Sequence, residues 1–138
     1  MKKVMCFGTF DLLHLGHLNY FKQAKTYGDY LVVVLARDKT KQEQQKEMVF
    51  TEEERLELIK NLKLVDEAVL GYYHDFLKIV QKHQPQVICL GYDHQINESE
   101  LAEKLTASGL NPIIKRMEPY HVQKHKSTLL KEKILKFN

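Results

Sequence analysis

Seven consecutive residues, Tyr30-Leu-Val-Val-Val-Leu-Ala36, carry no charged or strongly polar side chain. A strand with one face in water alternates apolar and polar residues. A run without alternation must be covered on both faces, as central strands of parallel sheets are. A parallel sheet in turn needs crossover helices, so the rest of the chain must supply them. Shorter apolar runs lie at Lys3 to Phe7, Glu67 to Leu70, Gln86 to Leu90 and Pro112 to Arg116. Between them come helix patterns. Leu18, Phe21, Ala24 and Lys25 recur at helical spacing before the stop Gly28-Asp29,. Thr51 with Glu54 is a capping box that opens a helix through Arg55, Leu56, Ile59 and Leu62,. Phe76, Ile79 and Val80 give a helix ending before Pro85, Asn97 to Ala107 gives another with Gly109 behind it, and Ser127 to Phe137 closes the chain as a basic helix,. Asp38 to Met48 is polar and aperiodic and reads as a mobile loop. The expected class is α/β: a Rossmann-like, doubly wound, five-stranded parallel sheet with flanking helices, formed as one domain over residues 1–138,.

A chain of 138 residues suffices for one core and is short for two,. No apolar run approaches the roughly 20 residues that span a bilayer. Met1-Lys2-Lys3 leads straight into a strand without a signal-peptide pattern, so a cytoplasmic protein without a membrane partner is expected,. Cys6 and Cys89 lie in apolar runs and read as reduced core residues,. The net charge of +3 is uneven: residues 115–136 hold seven Lys/Arg against two Asp/Glu. Such a tail suits a polyanionic ligand, or is a solvated basic helix. Aromatic residues are not interleaved with the charge, which argues against nucleic acid.

Ligands of doubly wound sheets bind beyond the carboxyl ends of the strands, where the winding reverses. The residues that follow the expected strands are Gly8-Thr9-Phe10, Arg37-Asp38, Gly71, Gly91-Tyr92-Asp93 and Arg116. The first group opens the stretch Gly8-Thr9-Phe10-Asp11-Leu12-Leu13-His14-Leu15-Gly16-His17, a strand, loop and helix start. A helix start offers unpaired N–H groups and a positive dipole end to an anion, and His14 and His17, on one side of the first turn, add donors. Neither Gly-x-Gly-x-x-Gly nor a P-loop occurs, so phosphate is held by another device,. The two histidines could also begin a zinc site, but no third ligand cluster accompanies them, and no metal ligand is assigned. His74, His83, His94, His121 and His125 are scattered in polar surroundings and read as surface residues.

Gly-Thr-Phe-Asp-Leu-Leu-His-x-Gly-His before a helix resembles the signature of the nucleotidyltransferase superfamily, which holds cytidylyltransferases and adenylyltransferases. The resemblance implies transfer of a nucleoside monophosphate from a nucleoside triphosphate to a phosphate-bearing small molecule, with release of pyrophosphate. The acceptor phosphate is already ionised, so the reaction needs no general base, only positioning and charge neutralisation. By this resemblance His14 and His17 stabilise charge on the triphosphate and at the α-phosphorus, and Gly8, Thr9, Phe10, Asp11, Leu15 and Gly16 bind nucleotide. Lys46 and Arg55 match basic positions that contact phosphate in the glycerol-3-phosphate cytidylyltransferase type. A second loop lysine of that type falls on Gln44, for which Lys41 could substitute from nearby. Gly91, Tyr92 and Asp93 match the base and ribose site, and Ser127 and Thr128 match a Ser/Thr motif in which Leu129 replaces a usual basic residue, with Lys124 and Lys126 close by.

Ala36-Arg37-Asp38-x-Thr40, Leu90-Gly91-Tyr92-Asp93 and the Arg116 to Tyr120 spacing are similar to the archaeal-type FAD synthases, over almost the whole chain. That subgroup transfers AMP from ATP to FMN and would place Tyr120 at the nucleotide; its tail cysteine is absent here, where Lys126 precedes Ser127. The alternatives are CTP and glycerol 3-phosphate as substrates, or a nucleotide-binding relative without turnover. The resemblance further implies Mg2+ bridging triphosphate oxygens and, by analogy, a homodimer.

Overall fold

The computed structural model describes residues 1–73, 75–120 and 127–136, with side chains from residue 130 in the last segment. Five strands, β1 (Lys3–Gly8), β2 (Tyr30–Leu35), β3 (Glu67–Leu70), β4 (Val87–Leu90) and β5 (Ile113–Arg116), form one parallel sheet in the order β3-β2-β1-β4-β5. The helices are α1 (Leu15–Lys25), α2 (Asp38–Glu43), α3 (Glu52–Lys60), α4 (Phe76–His83), α5 (Glu98–Ala107) and α6 (Ser127–Lys136). The order reverses between β1 and β4, and the loops that leave their carboxyl ends therefore flank a crevice,.

The unbroken apolar run of β2 is covered on both faces. Leu31, Val33 and Leu35 join Val4 and Cys6 of β1 beneath Phe21 and Ala24 of α1 and Ile59 of α3. Val32 and Val34 join Met5 and Ile88 against Ile79 and Val80 of α4 and Leu101 and Leu105 of α5. Each such fully buried side chain contributes roughly 1.5–3 kcal/mol relative to exposure. β1 pairs with β2 from Lys3↔Tyr30 to Gly8↔Leu35 and with β4 through Cys6↔Cys89, so both buried cysteines sit side by side as free thiols.

Two expectations about local structure are corrected. The Asp38 to Met48 segment is not loop throughout, since its first six residues form α2. Amphipathic periodicity does not hold this helix; a reciprocal pair does, in which Asp38 N donates to Glu52 Oε1 at 2.8 Å and Glu52 N donates to Asp38 Oδ2 at 3.0 Å. The first helix begins at Leu15 rather than Leu18, because His14 is its N-cap. Among the described residues no helix is long and apolar enough to cross a membrane.

Candidate active site

Gly8 ends β1 where a side chain has no room: a Cβ there would lie 2.5 Å from Cζ of Phe10. Phe10 takes the left-handed backbone at φ 56°, which tucks its ring into the core against Phe21 and sets its edge against the His17 ring, 5.3 Å between centroids,. The Phe10 side chain is thereby a floor beneath His17, not a surface open to a ligand.

The chain then turns into α1 through a capping box built from imidazoles. Gly16 N donates to His14 Nδ1 at 3.0 Å, and His14 N donates to His17 Nδ1 at 3.3 Å. The rings stack with centroids 3.9 Å apart. Because each Nδ1 accepts a backbone hydrogen, the bonding assigns each ring its proton at Nε2. Burial, reinforced by the neighbouring His14, lowers the His17 pKa from 6.5 to about 3. His17 is thus a neutral donor at neutral pH, set at the positive end of a helix.

Tyr20, one turn further along α1, bridges the carboxyl ends of β1 and β4. Its hydroxyl donates to Cys89 O at 2.8 Å and accepts from Phe7 N at 3.4 Å. Gly91 passes so close to Tyr20 and His94 that a Cβ would meet their rings at 3.2 and 3.3 Å. His94 is not a surface residue: it is half-buried, its Nδ1 accepts from Gly91 N at 3.2 Å, and its ring lies edge-on to Tyr20. Burial lowers its pKa, with Arg116 and Lys41 acting in the same direction and Asp93 opposing. Tyr92 is half-buried and Asp93 exposed. Arg116 holds this loop by donating to the carbonyls of Gly91, His94 and Ile96 at 3.0, 2.7 and 2.7 Å.

Arg55 is brought to the same edge but faces inward. It is fully buried; Nη1 donates to Thr9 O and Ala36 O at 2.9 Å each, and Nη2 pairs with Asp38 at 2.7 Å. Its partner is thus Asp38, while Glu52 pairs with Arg37. Asp11 is 3% exposed and accepts from Val49 N at 2.7 Å, Phe50 N at 2.9 Å and Lys131 Nζ at 2.6 Å. Both residues therefore hold other parts of the site together. Lys46 is exposed, beside a cavity of about 690 Å³ whose wall includes Asp38, Gln42, Met48, Val49 and Phe50. Leu15 stands exposed at the first position of α1, and Gly16 follows it. Tyr120 is half-buried after β5, and the side chains of Ser127 and Thr128 lie outside the described residues, as do His74, His121, Lys124, His125 and Lys126.

A family model described as cytidylyltransferase-like matches residues 5–133. The chain belongs to the cytidylyltransferase-like family. It is a nucleotidyltransferase. Within this family it is 44% identical to an FAD synthase of Thermoplasma volcanium over 98% of this chain and 95% of that one. It is also 42% identical to an FAD synthase of Thermoplasma acidophilum with the same two coverages. A crystal structure described as a lipopolysaccharide core biosynthesis protein of Thermoplasma volcanium superposes with a TM-score of 0.85 at 46% identity, over 87% of this chain and 98% of that one. The two descriptions assign different roles to relatives of similar identity.

In this cytidylyltransferase-like chain one residue of the crevice escapes a reading by motif. His94 lies in a polar segment with no spacing to mark it; only its bond to Gly91 reveals it. Lys41 sits in the segment that reads as a loop, and α2 carries it inward until it is 8% exposed. His83, also read as a surface residue, is buried, close to Glu67 at 3.8 Å and away from this crevice, at the amino-terminal end of the strands. No group of three His, Cys, Asp or Glu side chains that could hold a metal ion occurs among the described residues.

Proposed function

We propose that the chain transfers AMP from ATP to FMN, forming FAD and releasing pyrophosphate. The observation that carries the reaction class is the stacked His14–His17 pair, with His17 neutral, at the start of α1, in the crevice between β1 and β4. The choice of substrates is supported by the likeness to FAD synthases over nearly the whole chain.

In this reading an FMN phosphate oxygen attacks the α-phosphorus of ATP. One P–O bond forms, the bond from Pα to the β-phosphate oxygen breaks, and its electron pair leaves on pyrophosphate. The attacking oxygen is already an anion and no proton needs removal. His17, its Nδ1 held by His14 N, donates from Nε2 to oxygens whose negative charge grows in the transition state,. Its depressed pKa keeps it in the single-donor form over the physiological range. The open N–H groups of the first turn of α1 add to this stabilisation. Gly91, Tyr92 and Asp93 receive the base and ribose, and Lys46 and the last helix approach the phosphates.

Among the described residues the side chains offer no cage for Mg2+: Asp11 is committed to two amides and a lysine, and Asp38 to Arg55 and Glu52 N. A divalent cation enters this scheme as a companion of the triphosphate, and no step is assigned to it. The test is pyrophosphate release from ATP or CTP, each paired with FMN or glycerol 3-phosphate, with FAD followed by its absorbance after chromatography. Release with ATP and FMN alone is expected. Release with CTP and glycerol 3-phosphate would replace this reading, and binding without release would make the chain a nucleotide sensor.

A further inference from the structure

The ladder between β1 and β4 stops before either strand does. β1 runs to Gly8 and β4 to Leu90, yet their pairing ends at Cys6↔Cys89. The outer neighbours settle which way the backbone groups face. Gly8 O accepts from Ala36 N on the β2 side at 2.9 Å, so Phe7 faces β4; Leu90 O accepts from Met117 N on the β5 side at 2.8 Å, so Gly91 faces β1,. The next rung would therefore join Gly91 N to Phe7 O. It is not made, and a side chain takes each half of it: Gly91 N donates to His94 Nδ1 at 3.2 Å, and Phe7 O lies 3.2 Å from the Tyr20 hydroxyl. The same hydroxyl reaches Cys89 O at 2.8 Å and Phe7 N at 3.4 Å, so it is wedged into the end of the ladder.

The Tyr20 ring extends the wedge to both sides of the crevice. It lies edge-on to His94 at 6.3 Å between centroids and so close to Gly91 that a Cβ there would meet it at 3.2 Å. Toward β1 it lies 6.2 Å from the Phe10 ring, the floor under His17. We propose that Tyr20 is a positioning residue for the nucleotide: it parts β1 and β4 where their ladder ends, and so sets the span between the first turn of α1 and the loop from Gly91 to Asp93. The assignment rests on the nucleotidyl-transfer reading, in which the phosphates of a nucleoside triphosphate lie at α1 and its base and ribose at that loop. Tyr20 acts through the two loops and not on the ligand. A ligand that needs both places depends on their separation, whereas one that uses α1 alone does not.

The experiment compares the whole protein with Tyr20→Phe, which deletes only the hydroxyl, and with Val80→Ala, which opens a cavity on the opposite face of the sheet,. Calorimetry reads the affinities for ATP, CTP and inorganic tripolyphosphate, and urea unfolding reads the midpoint. Tyr20→Phe is expected to unfold cooperatively and to keep its tripolyphosphate affinity within about twofold. Its affinity for whichever of ATP and CTP the parent prefers should fall about tenfold or more, because a ligand held at two places loses the gain of linkage when their spacing shifts. Val80→Ala should lower the midpoint at least as far and leave every affinity within about twofold, since its site is distant and shares no partner with the crevice.

Equal losses toward nucleotide and tripolyphosphate in Tyr20→Phe would make Tyr20 an ordinary structural residue and overturn the assignment. Unchanged affinities would overturn it too, as would a Tyr20→Phe protein that does not fold or a Val80→Ala protein that loses nucleotide to the same extent. A parent that binds neither ATP nor CTP more tightly than tripolyphosphate gains nothing from the second loop, and the assignment falls with that result. A parent that prefers ATP to tripolyphosphate and forms no FAD would reject the proposed reaction while leaving the assignment of Tyr20 standing.

Discussion

The Asp11 carboxylate meets the Lys131 ammonium at 2.6 Å, across 120 residues of chain. Its oxygens also accept the amides of Val49 and Phe50, so the loop after β1, the segment before α3 and the last helix are tied at one buried point. Burial alone would raise the Asp11 pKa; Lys131 and the two amides outweigh it and hold the pKa below the ordinary value. Replacing Asp11 by Ala leaves these donors unmet and should cost about 3 kcal/mol in urea unfolding. Lys131→Met should cost about 1 kcal/mol or less, because the amides still serve the carboxylate and the lysine is partly solvated. Equal losses in the two variants would contradict this division.

His17→Ala removes a neutral donor from the transition state and should lower kcat about 100-fold or more, with the KM for nucleotide changed far less. Far-ultraviolet circular dichroism should stay near that of the parent, since α1 keeps its His14 cap. Near-normal turnover would remove His17 from the mechanism.

Gly8→Ala drives a methyl group to 2.5 Å from the Phe10 ring. The ring must move, and it is the floor under His17. The variant should lose about 1–3 kcal/mol of stability and, with it, most of its activity. A variant of parental stability and turnover would show that the Phe10 contact is dispensable.

Stability should fall on the acid side. His17 titrates near 6.5 when unfolded and at about 3 when folded, so between these values the unfolded chain binds the proton first and stability rises with pH. His94 and His83 are shifted in the same direction. The Asp11 contribution, from a lowered carboxylate pKa, is lost only as the pH falls below about 3.8. The urea midpoint should therefore drop between about pH 7 and pH 5, where carboxylates remain ionised. His17→Asn should flatten that drop; a slope unchanged in the variant would place the proton uptake elsewhere.

Arg55 separates structure from contact. Buried with three acceptors, it should cost about 3 kcal/mol or more when changed to Met, and Arg55→Lys should recover little because an ammonium cannot replace the fork. Unfolding measurements on both variants decide this, and a stable Arg55→Met protein would mean that the clamp it forms is redundant.

What the sequence determined by itself lies within a few residues of its cause. The apolar run from Tyr30 demands two covered faces, Thr51 and Glu54 cap α3 from three residues apart, and the stretch from Gly8 to His17 carries both imidazoles on the helix start they cap. Strands, crossovers and the crevice between β1 and β4 follow from such local rules. Tertiary structure decided the rest. Helix α2 forms because Asp38 meets Glu52, Arg55 turns inward because Thr9, Ala36 and Asp38 surround it, and His94 is buried because Gly91 folds it against Tyr20. The Asp11–Lys131 pair spans nearly the whole chain. No periodicity records these contacts, because burial and charge at such positions are set by segments that only the folded sheet brings together.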